Sequence, residues 1–568
     1  MNADTAVIHF DDFTLDAAKR QLSKNGEEIG LQRKVFDTLH YLLCHADRVV
    51  TKQELLDEVW PSTVVTDNAL TRVISALRKV LHDSPQESRL IRALPRVGYR
   101  FVGTVSFDTF EQKEDENRIS LAVLPFQPMS PSESDESLQL GMADNLISQL
   151  SCLPDLIVRP LATVRELASA IKDPLIIAER LNVDVVLDSS INRRGDRVRV
   201  STRLLSTRDG SALWAATLDD QFSDIFLLQD TICAKILSEL TPQLQTPQTR
   251  PRPTTPEAYR AYLEGRLFLG RFTERDVNRA LSLFETALDE DPTHAPALAS
   301  IAECHDFLGT MGSEPGTHFR EAGRMSRRAL KLDPRIAEAT CVQAKIAWQF
   351  DWDWPRAEAL FNTALRRFPN RADLHAANSD FSCYMQMHER AIEQARRALV
   401  IDPISPWVNT LLAQALHMSG RDDDAVSQAR RALEFAPDFA FAHFFLGLSL
   451  FSSGDLEQGL AELKIAVASG RPDFVAAFGF CLGAAGRTEA AEAILEQVVA
   501  AGDHGPPIAR AIVNLGIGNI DDARKEFEAC VQIHDWHILL LHAEPVIAEL
   551  AAGTGLDELL EPLGLPAA

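Results

Sequence analysis

Seven cations crowd the stretch from Thr66 to Val102 (Arg72, Arg78, Lys79, Arg89, Arg92, Arg96 and Arg100) against three acids, Asp67, Asp83 and Glu87. Their spacing says more than their number. Within TDNALTRVISALRKVLHD, Leu70, Ile74, Leu77 and Leu81 fall 4, 3 and 4 residues apart, the apolar stripe of an amphipathic helix. Asn68, Arg72, Ser75 and Lys79 repeat that spacing two residues earlier. At about 100° per residue they stand roughly opposite the stripe. Such a ridge can bond base edges and phosphates, and Ala76 lies beside it. Arg89–Val102 reads as a hairpin with Pro95-Arg96-Val97-Gly98 at its tip, which adds Arg96, Tyr99 and Arg100 as candidates. A basic helix followed by a basic hairpin suits a helix in the major groove and a wing on the backbone or minor groove. Taken alone, a basic helix face is more often a solvated surface, so the flanking residues decide.

Upstream, Thr51-Lys52-Gln53-Glu54 is a capping box opening a helix over Lys52–Trp60. A polar turn through Pro61 leads into the basic helix, whose start Thr66 or Asp67 can cap. That is helix, turn, helix, with the exposed cations on the second. Gln32–His45 predicts a helix burying Val35, Phe36, Leu39, Leu42 and Leu43. Residues 9–31 predict short strands around Phe10, Phe13 and Leu15, with Asn25-Gly26 a hairpin turn. Trp60, at a helix end beside Val59, reads as a packing anchor rather than a base stacker.

With VVTKQELLDEVW, the register of LTRVISALRKVL, and RLIRALPRVGYRF in place, residues 9–103 resemble the winged-helix DNA-binding domain of OmpR/PhoB-type response regulators. The resemblance implies that Arg72, Ser75, Ala76 and Lys79 face the groove and that Arg96 is the wing-tip cation. Family members often carry Arg where Ala76 stands. They also place a receiver domain before the winged helix; here the motif starts within ten residues of Met1, so activation independent of a phosphorylated receiver is expected.

The 568 residues suffice for three or four domains. The net charge is −24, yet residues 1–105 hold 14 Lys/Arg and 14 Asp/Glu. All the negative excess therefore lies beyond residue 105, and phosphate contact is expected of the N-terminal module only. Eight cysteines stand singly, without a CxxC or a Cys/His cluster, as expected of small buried side chains in a reducing compartment. No apolar run approaches the roughly 20 residues of a membrane span. The start MNADTAVIHFDD lacks a basic region followed by an apolar core. A cytoplasmic protein without membrane contact is the expectation.

Along the rest of the chain, 106–117 reads as a polar linker. Residues 118–241 alternate strands (Ile119–Phe126, Leu156–Val158, Val183–Ile191, Arg197–Leu205, Ser211–Leu218) with helices near Leu138–Leu150, Leu175–Leu181 and Asp224–Leu240. Turns are expected at Gly195-Asp196 and Asp209-Gly210. LAVLPF, LNVDVVLDSSINRRGDRVRVSTRLL, GSALWAATLD and DIFLLQDTI make this α/β domain resemble the TolB-like family. Residues 242–256, rich in Pro, Thr and Gln, read as a semi-extended linker. From 257 to 470 the chain repeats: Ala-Leu pairs precede Pro292, Pro334, Pro369, Pro403 and Pro437, which lie 42, 35, 34 and 34 residues apart. A 34-residue helix–turn–helix period marks tetratricopeptide repeats. Ala280, Phe284, Ala287 and Pro292 fit their small–large–small–Pro spacing. The longer step is an insertion around Met311–Thr317, and residues 471–568 read as degenerate repeats or a helical cap.

The fold class is thus multidomain, α+β and all-α: a winged helix-turn-helix over 1–105, a TolB-like α/β domain over 118–241, and a tetratricopeptide α-solenoid. This order resembles the HilA-type activators of invasion and type III secretion genes. It implies a sequence-specific transcriptional regulator, more an activator than a repressor, that binds double-stranded promoter DNA and uses its repeats for protein partners or self-association. No cofactor or metal site is expected. The alternatives are a scaffold or signalling protein whose winged helix no longer reads DNA, or, last, a cyclase-like enzyme. Against the enzyme, the chain has no GxxxxGK[ST], HExxH, GxSxG or dinucleotide fingerprint.

Overall fold

The stripe that should seat the basic helix is buried along its whole length: Leu70, Ile74, Leu77 and Leu81 are 1, 2, 0 and 0 % exposed. The structure is a computed structural model. It describes residues 7–565 apart from 12, 17–20, 25, 26, 30, 32, 45–49, 60–66, 82, 84–88, 95, 96, 104, 109–117, 130–135, 196, 222–224, 241–253, 271, 272, 311–314 and 501–506. The expectations for the Asn25-Gly26 and Asp196 turn residues, Trp60, Thr66 and most of both linkers lie outside the described residues. The chain divides into two compact units, Met1–Arg118 and Ile119–Ala568.

In the first unit, strands β1 (Val7–Phe10), β2 (Phe13–Asp16), β3 (Gln21–Lys24), β4 (Glu27–Ile29) and, much later, β8 (Val105–Asp108) form one sheet in the order β4-β3-β2-β1-β8. Lys24 pairs with Glu27, so β3 and β4 form the expected hairpin. Strand β8 corrects the sequence reading: Val7 pairs with Asp108 and Phe10 with Val105, so the sheet claims the first residues assigned to the 106–117 linker. Helices α1 (Arg33–Cys44), α2 (Lys52–Val59) and α3 (Asp67–Val80) pack on one another. A second sheet, β5 (Val50–Thr51), β6 (Ile91–Leu94) and β7 (Gly98–Phe101), has the order β5-β7-β6. The five side chains expected inside α1 are buried, as are Phe10, Phe13 and Leu15. The capping box forms: Thr51 Oγ1 accepts from the Glu54 N–H at 3.2 Å, and Glu54 Oε2 accepts from the Thr51 N–H at 3.4 Å. Gly98 is required where β7 meets β5, because a Cβ there would lie 2.0 Å from the Val50 carbonyl oxygen.

The second unit opens with an α/β region: β9 (Ile119–Val123), β10 (Gln127–Pro128), α4 (Glu136–Leu150), β11 (Leu156–Val158), α5 (Leu161–Ala170), α6 (Pro174–Arg180), β12 (Val185–Arg194), β13 (Arg197–Ser206), β14 (Ala212–Gln221) and α7 (Ile225–Leu240). The sheet order is β11-β9-β12-β13-β14, with β10 beside β12. Strands β11, β9 and β12 run parallel; β12, β13 and β14 form an antiparallel meander. Helix α5 and the short β10 were not anticipated.

Eight helix pairs follow among the described residues: α8 (Pro256–Leu269) with α9 (Glu274–Glu290), α10 (Ala295–Thr310) with α11 (Pro315–Leu332), α12 (Ala337–Gln349) with α13 (Trp354–Arg367), α14 (Ala372–Tyr384) with α15 (His388–Ile401), α16 (Pro406–Met418) with α17 (Asp422–Phe435), α18 (Ala440–Ser452) with α19 (Leu456–Val467), α20 (Pro472–Ala484) with α21 (Thr488–Ala500), and α22 (Pro507–Ile517) with α23 (Ile520–Gln532). Each of the five phase-setting prolines stands two residues past a second helix, where its missing N–H and its ring end the helix. Ala280, Phe284 and Ala287 are all fully buried. First helices of neighbouring pairs touch one another from α10 through α18 and form a continuous layer.

The α/β region is docked on the repeats. Arg159, 4 % exposed, donates to the carbonyls of Leu181 (3.1 Å) and Asn182 (2.8 Å) after α6, and to Val400 (2.7 Å) and Ile401 (2.9 Å) at the end of α15. One guanidinium thus satisfies two helix C-termini, one from each side. Asn370 Nδ2 reaches the carbonyls of Leu153, Pro154 and Leu156 at 2.5, 3.2 and 2.9 Å. Arg266 on α8 bridges Asp144 on α4 (3.3 Å) and Glu303 on α10 (3.0 Å).

Thr163 Oγ1 lies 2.8 and 2.9 Å from the two oxygens of Asp402. Burial raises the Asp402 pKa to about 6, against the opposing pull of Thr163 and Arg159. The folded pKa lies above the unfolded one, so the folded chain binds the proton more tightly. Asp402 therefore adds stability as pH falls from 7 through 6, and that gain is lost as pH rises again. In Asp402→Asn this gain should vanish. Melting temperatures of both proteins at pH 7 and 5 check it: the wild type should improve relative to the variant on going to pH 5.

Candidate nucleic-acid interface

Because Leu70, Ile74, Leu77 and Leu81 point inward, the opposite side of α3 must face out, and Arg72, Ser75 and Lys79 are exposed there. Thr71 is exposed beside them, a position the sequence reading left out. Ala76 is half-buried against the domain core. Asn68 lies in the first turn of α3. Arg96 falls outside the described residues.

The wing is set by strand alternation. On β7, Gly98, Tyr99 and Phe101 are buried and Arg100 is exposed. Tyr99, a sequence candidate for DNA contact, is 7 % exposed and belongs to the hydrophobic core, so its ring supports the hairpin from beneath. On β6, Arg92 and Ala93 are exposed. The register places Arg92 directly opposite Arg100. Arg92 was counted among the cations but not chosen as a site residue; the hairpin register, read outward from the Pro95–Val97 tip, is the signal that marks it.

Two of the seven cations are structural. Arg78 Nη2 donates to the Ile91 carbonyl at 2.9 Å and ties α3 to the first wing strand. Arg89 pairs with Asp11 at 2.5 Å. Asp83, 8 % exposed, accepts the backbone N–H groups of Arg89 (2.8 Å), Leu90 (3.2 Å) and Ile91 (2.8 Å), which fixes where β6 begins. Arg72, Lys79, Arg92 and Arg100 have no ion-pair partner among the described residues. Two unpaired arginines directly opposite each other repel, and an anion between them would relieve that cost.

Arg92→Ala should therefore raise the unfolding free energy by about 0.2–1 kcal/mol. It should also weaken binding to all duplex sequences alike, lowering the salt slope by about one unit. Denaturant melts and salt-dependent gel shifts measure the two effects; a less stable variant with unchanged DNA affinity would reduce Arg92 to a structural residue.

Three family models match the chain: "Transcriptional regulatory protein, C terminal" over residues 26–101, "HilA/YgeH-like transcriptional regulator, second domain" over 116–235, and "Tetratricopeptide repeat" over 411–474. The chain is 26 % identical over 309 residues to the transcriptional regulator HilA of Salmonella typhi; the match covers 53 % of this chain and 54 % of HilA, about half the length of that relative. It is 30 % identical over 110 residues to the transcriptional activator CadC of Escherichia coli (strain K12), covering 19 % of this chain and 22 % of CadC. The solved DNA-binding domain of E. coli CadC is 29 % identical, with 18 % of this chain and 99 % of that chain covered and a TM-score of 0.17. Residues 26–101 thus match the C-terminal domain of transcriptional regulatory proteins, of the OmpR/PhoB type, residues 116–235 a HilA/YgeH-like second domain, and residues 411–474 a tetratricopeptide repeat.

Proposed function

We propose that this chain is a sequence-specific activator that reads double-stranded promoter DNA with α3 and steadies itself with the β6–β7 wing. The observation that carries the reading is the set of exposed cations without acid partners among the described residues, Arg72 and Lys79 on α3 with Arg92 and Arg100 on the wing, in an OmpR/PhoB-type domain. Arg72 and Ser75 contact base edges in the major groove, with Asn68 and Ala76 at its margin; Lys79, Arg96, Arg92 and Arg100 contact phosphate. The repeats hold a protein partner or a second copy. The α/β region, which resembles the TolB-like family in sequence, serves as their platform. Similarity to HilA and CadC, whose names describe a transcriptional regulator and a transcriptional activator, supports this reading. No helix among the described residues is long and apolar enough to cross a membrane.

Residues 1–118, which include β8, should protect the same bases as the full chain but bind more weakly, because self-association through the body raises the effective concentration of a second module. Residues 119–568 carry most of the negative excess and should not bind. Arg72→Ala should cost roughly 1–3 kcal/mol and relax preference at one position. Lys79→Ala should weaken specific and random DNA equally. Footprints and gel shifts test both; equal losses on specific and random DNA for Arg72→Ala would refute its base-reading role.

A further inference from the structure

After Gln532 the helix pairs stop. Four short elements follow: a 3-10 turn at Trp536–Leu539, helices Leu540–Ala543 and Pro545–Ala551, and a 3-10 stretch at Leu556–Leu563. None has the 11 to 18 residues of a repeat helix. They lie against the first helices of three earlier repeats, near the C-terminal ends of α12, α14 and α16. The Trp536 ring meets Trp348 on α12 edge-on at 5.3 Å and Tyr384 on α14 edge-on at 5.0 Å. His542 Nε2 bonds the Tyr384 carbonyl at 2.8 Å, and Gln386 Nε2 returns a bond to the His542 carbonyl at 2.6 Å. Glu544 Oε1 lies 3.0 Å from Nε2 of His417 on α16, whose Nδ1 meets Asp422 at 2.6 Å. Farther on, Trp354 Nε1 donates to the Leu563 carbonyl at 3.0 Å.

These contacts have the form of peptide recognition: an aromatic ring in an aromatic seat, a carboxylate on a buried imidazole, and side-chain bonds to backbone carbonyls. His417 is 0 % exposed. Burial would push its pKa down, but the hydrogen bonds to Asp422 and Glu544 outweigh that and carry it up to about 9. The imidazolium therefore demands a carboxylate partner at neutral pH. Around the seat, Trp348 Nε1, Trp352 Nε1 and Gln349 Oε1 are buried without a hydrogen-bond partner among the described residues. A ligand that supplies these groups would gain over the present occupant.

We propose that Asp535–Leu563 is an intramolecular ligand on the α12–α14–α16 surface, and that the partner taken there in trans is a protein segment carrying an aromatic ring followed by a carboxylate, which must displace it. This rests on the reading that the repeats make protein contacts, and it names where and with what chemistry.

Native-state hydrogen exchange on the full wild-type chain tests the first part. Amides of Trp536–Ala551 should exchange through an opening that leaves α12, α14 and α16 protected. If the segment and those helices exchange together at every denaturant concentration, the segment is integral core and the proposal falls. A labelled peptide of residues 533–551 tests the second part. It should bind full-length Trp536→Ala at least tenfold more tightly than the wild type, whose surface is occupied, and Ala in place of Trp536 in the peptide should abolish the binding. Equal binding to both chains overturns the proposal, as does loss of the helical signal of the repeats in Trp536→Ala. Gel shifts with promoter DNA are independent of these readouts, so either failure leaves the DNA-binding reading standing.

Discussion

A helix can offer a reading face only if its other face is held at a fixed rotation, and in the first unit four side chains do this. Leu70, Ile74, Leu77 and Leu81 sink into a core built from α1 and the two sheets. Each residue turns the helix by about 100°, so a slip of one position would carry Arg72 toward the core and a leucine into solvent. Burying each leucine is worth about 1.5–3 kcal/mol, far more than any single exposed cation contributes to the fold. The same helix also positions the wing. Arg78 bonds the first wing strand, and Asp83, just past the helix end, gathers three consecutive N–H groups at its start. Helix and wing are thereby parts of one rigid piece.

In the second unit the comparable constraint is satisfaction of helix ends. Arg159 and Asn370 are buried donors that serve carbonyls across the junction between the α/β region and the repeats. Losing a buried donor of this kind costs roughly 1–3 kcal/mol for each acceptor left unsatisfied. The α/β region is therefore not a bead on a linker. Its orientation on the repeats is specified by these buried polar contacts, and Asp402, ionised only above about pH 6, sits in the same junction.

What the sequence made legible was whatever is written in local period or punctuation. The stripe of α3, the core face of α1, the capping box at Thr51 and the five prolines that end second helices are all local patterns, and the structure has each of them. What escaped depends on partners distant in the chain. Val105–Asp108 is a strand only because Val7–Phe10 lies beside it. Leu161–Ala170 has two buried residues, Thr163 and Val164, too few to write a clear stripe. Tyr99 was a candidate through its place in the hairpin; alternation along β7 turns it inward. Arg92 needed the register of β6 on β7. The polar junction of Arg159 and Asn370, and the return of the C-terminal segment to α12, α14 and α16, join residues more than 100 positions apart. No window on the sequence contains both ends of such a contact.

Charge shows the difference between counting and placing. The first 105 residues are neutral by count, and by count alone they should have no attraction for phosphate. The fold separates the two signs by giving the acids internal work. Asp83 is consumed by backbone N–H groups, Glu54 by the α2 cap and the Tyr41 hydroxyl at 2.9 Å, and Asp11 by Arg89. The cations left on α3 and the wing have no such partners among the described residues. At about 0.15 M salt the screening length is near 8 Å, so a polyanion at the surface responds to the charges within that distance rather than to the net charge of the domain. Unpaired cations on α3 and on β6–β7 then make a locally positive surface on a neutral module. The local positive charge of α3 and the wing thus comes from which acids the fold has already occupied, as much as from which bases it displays.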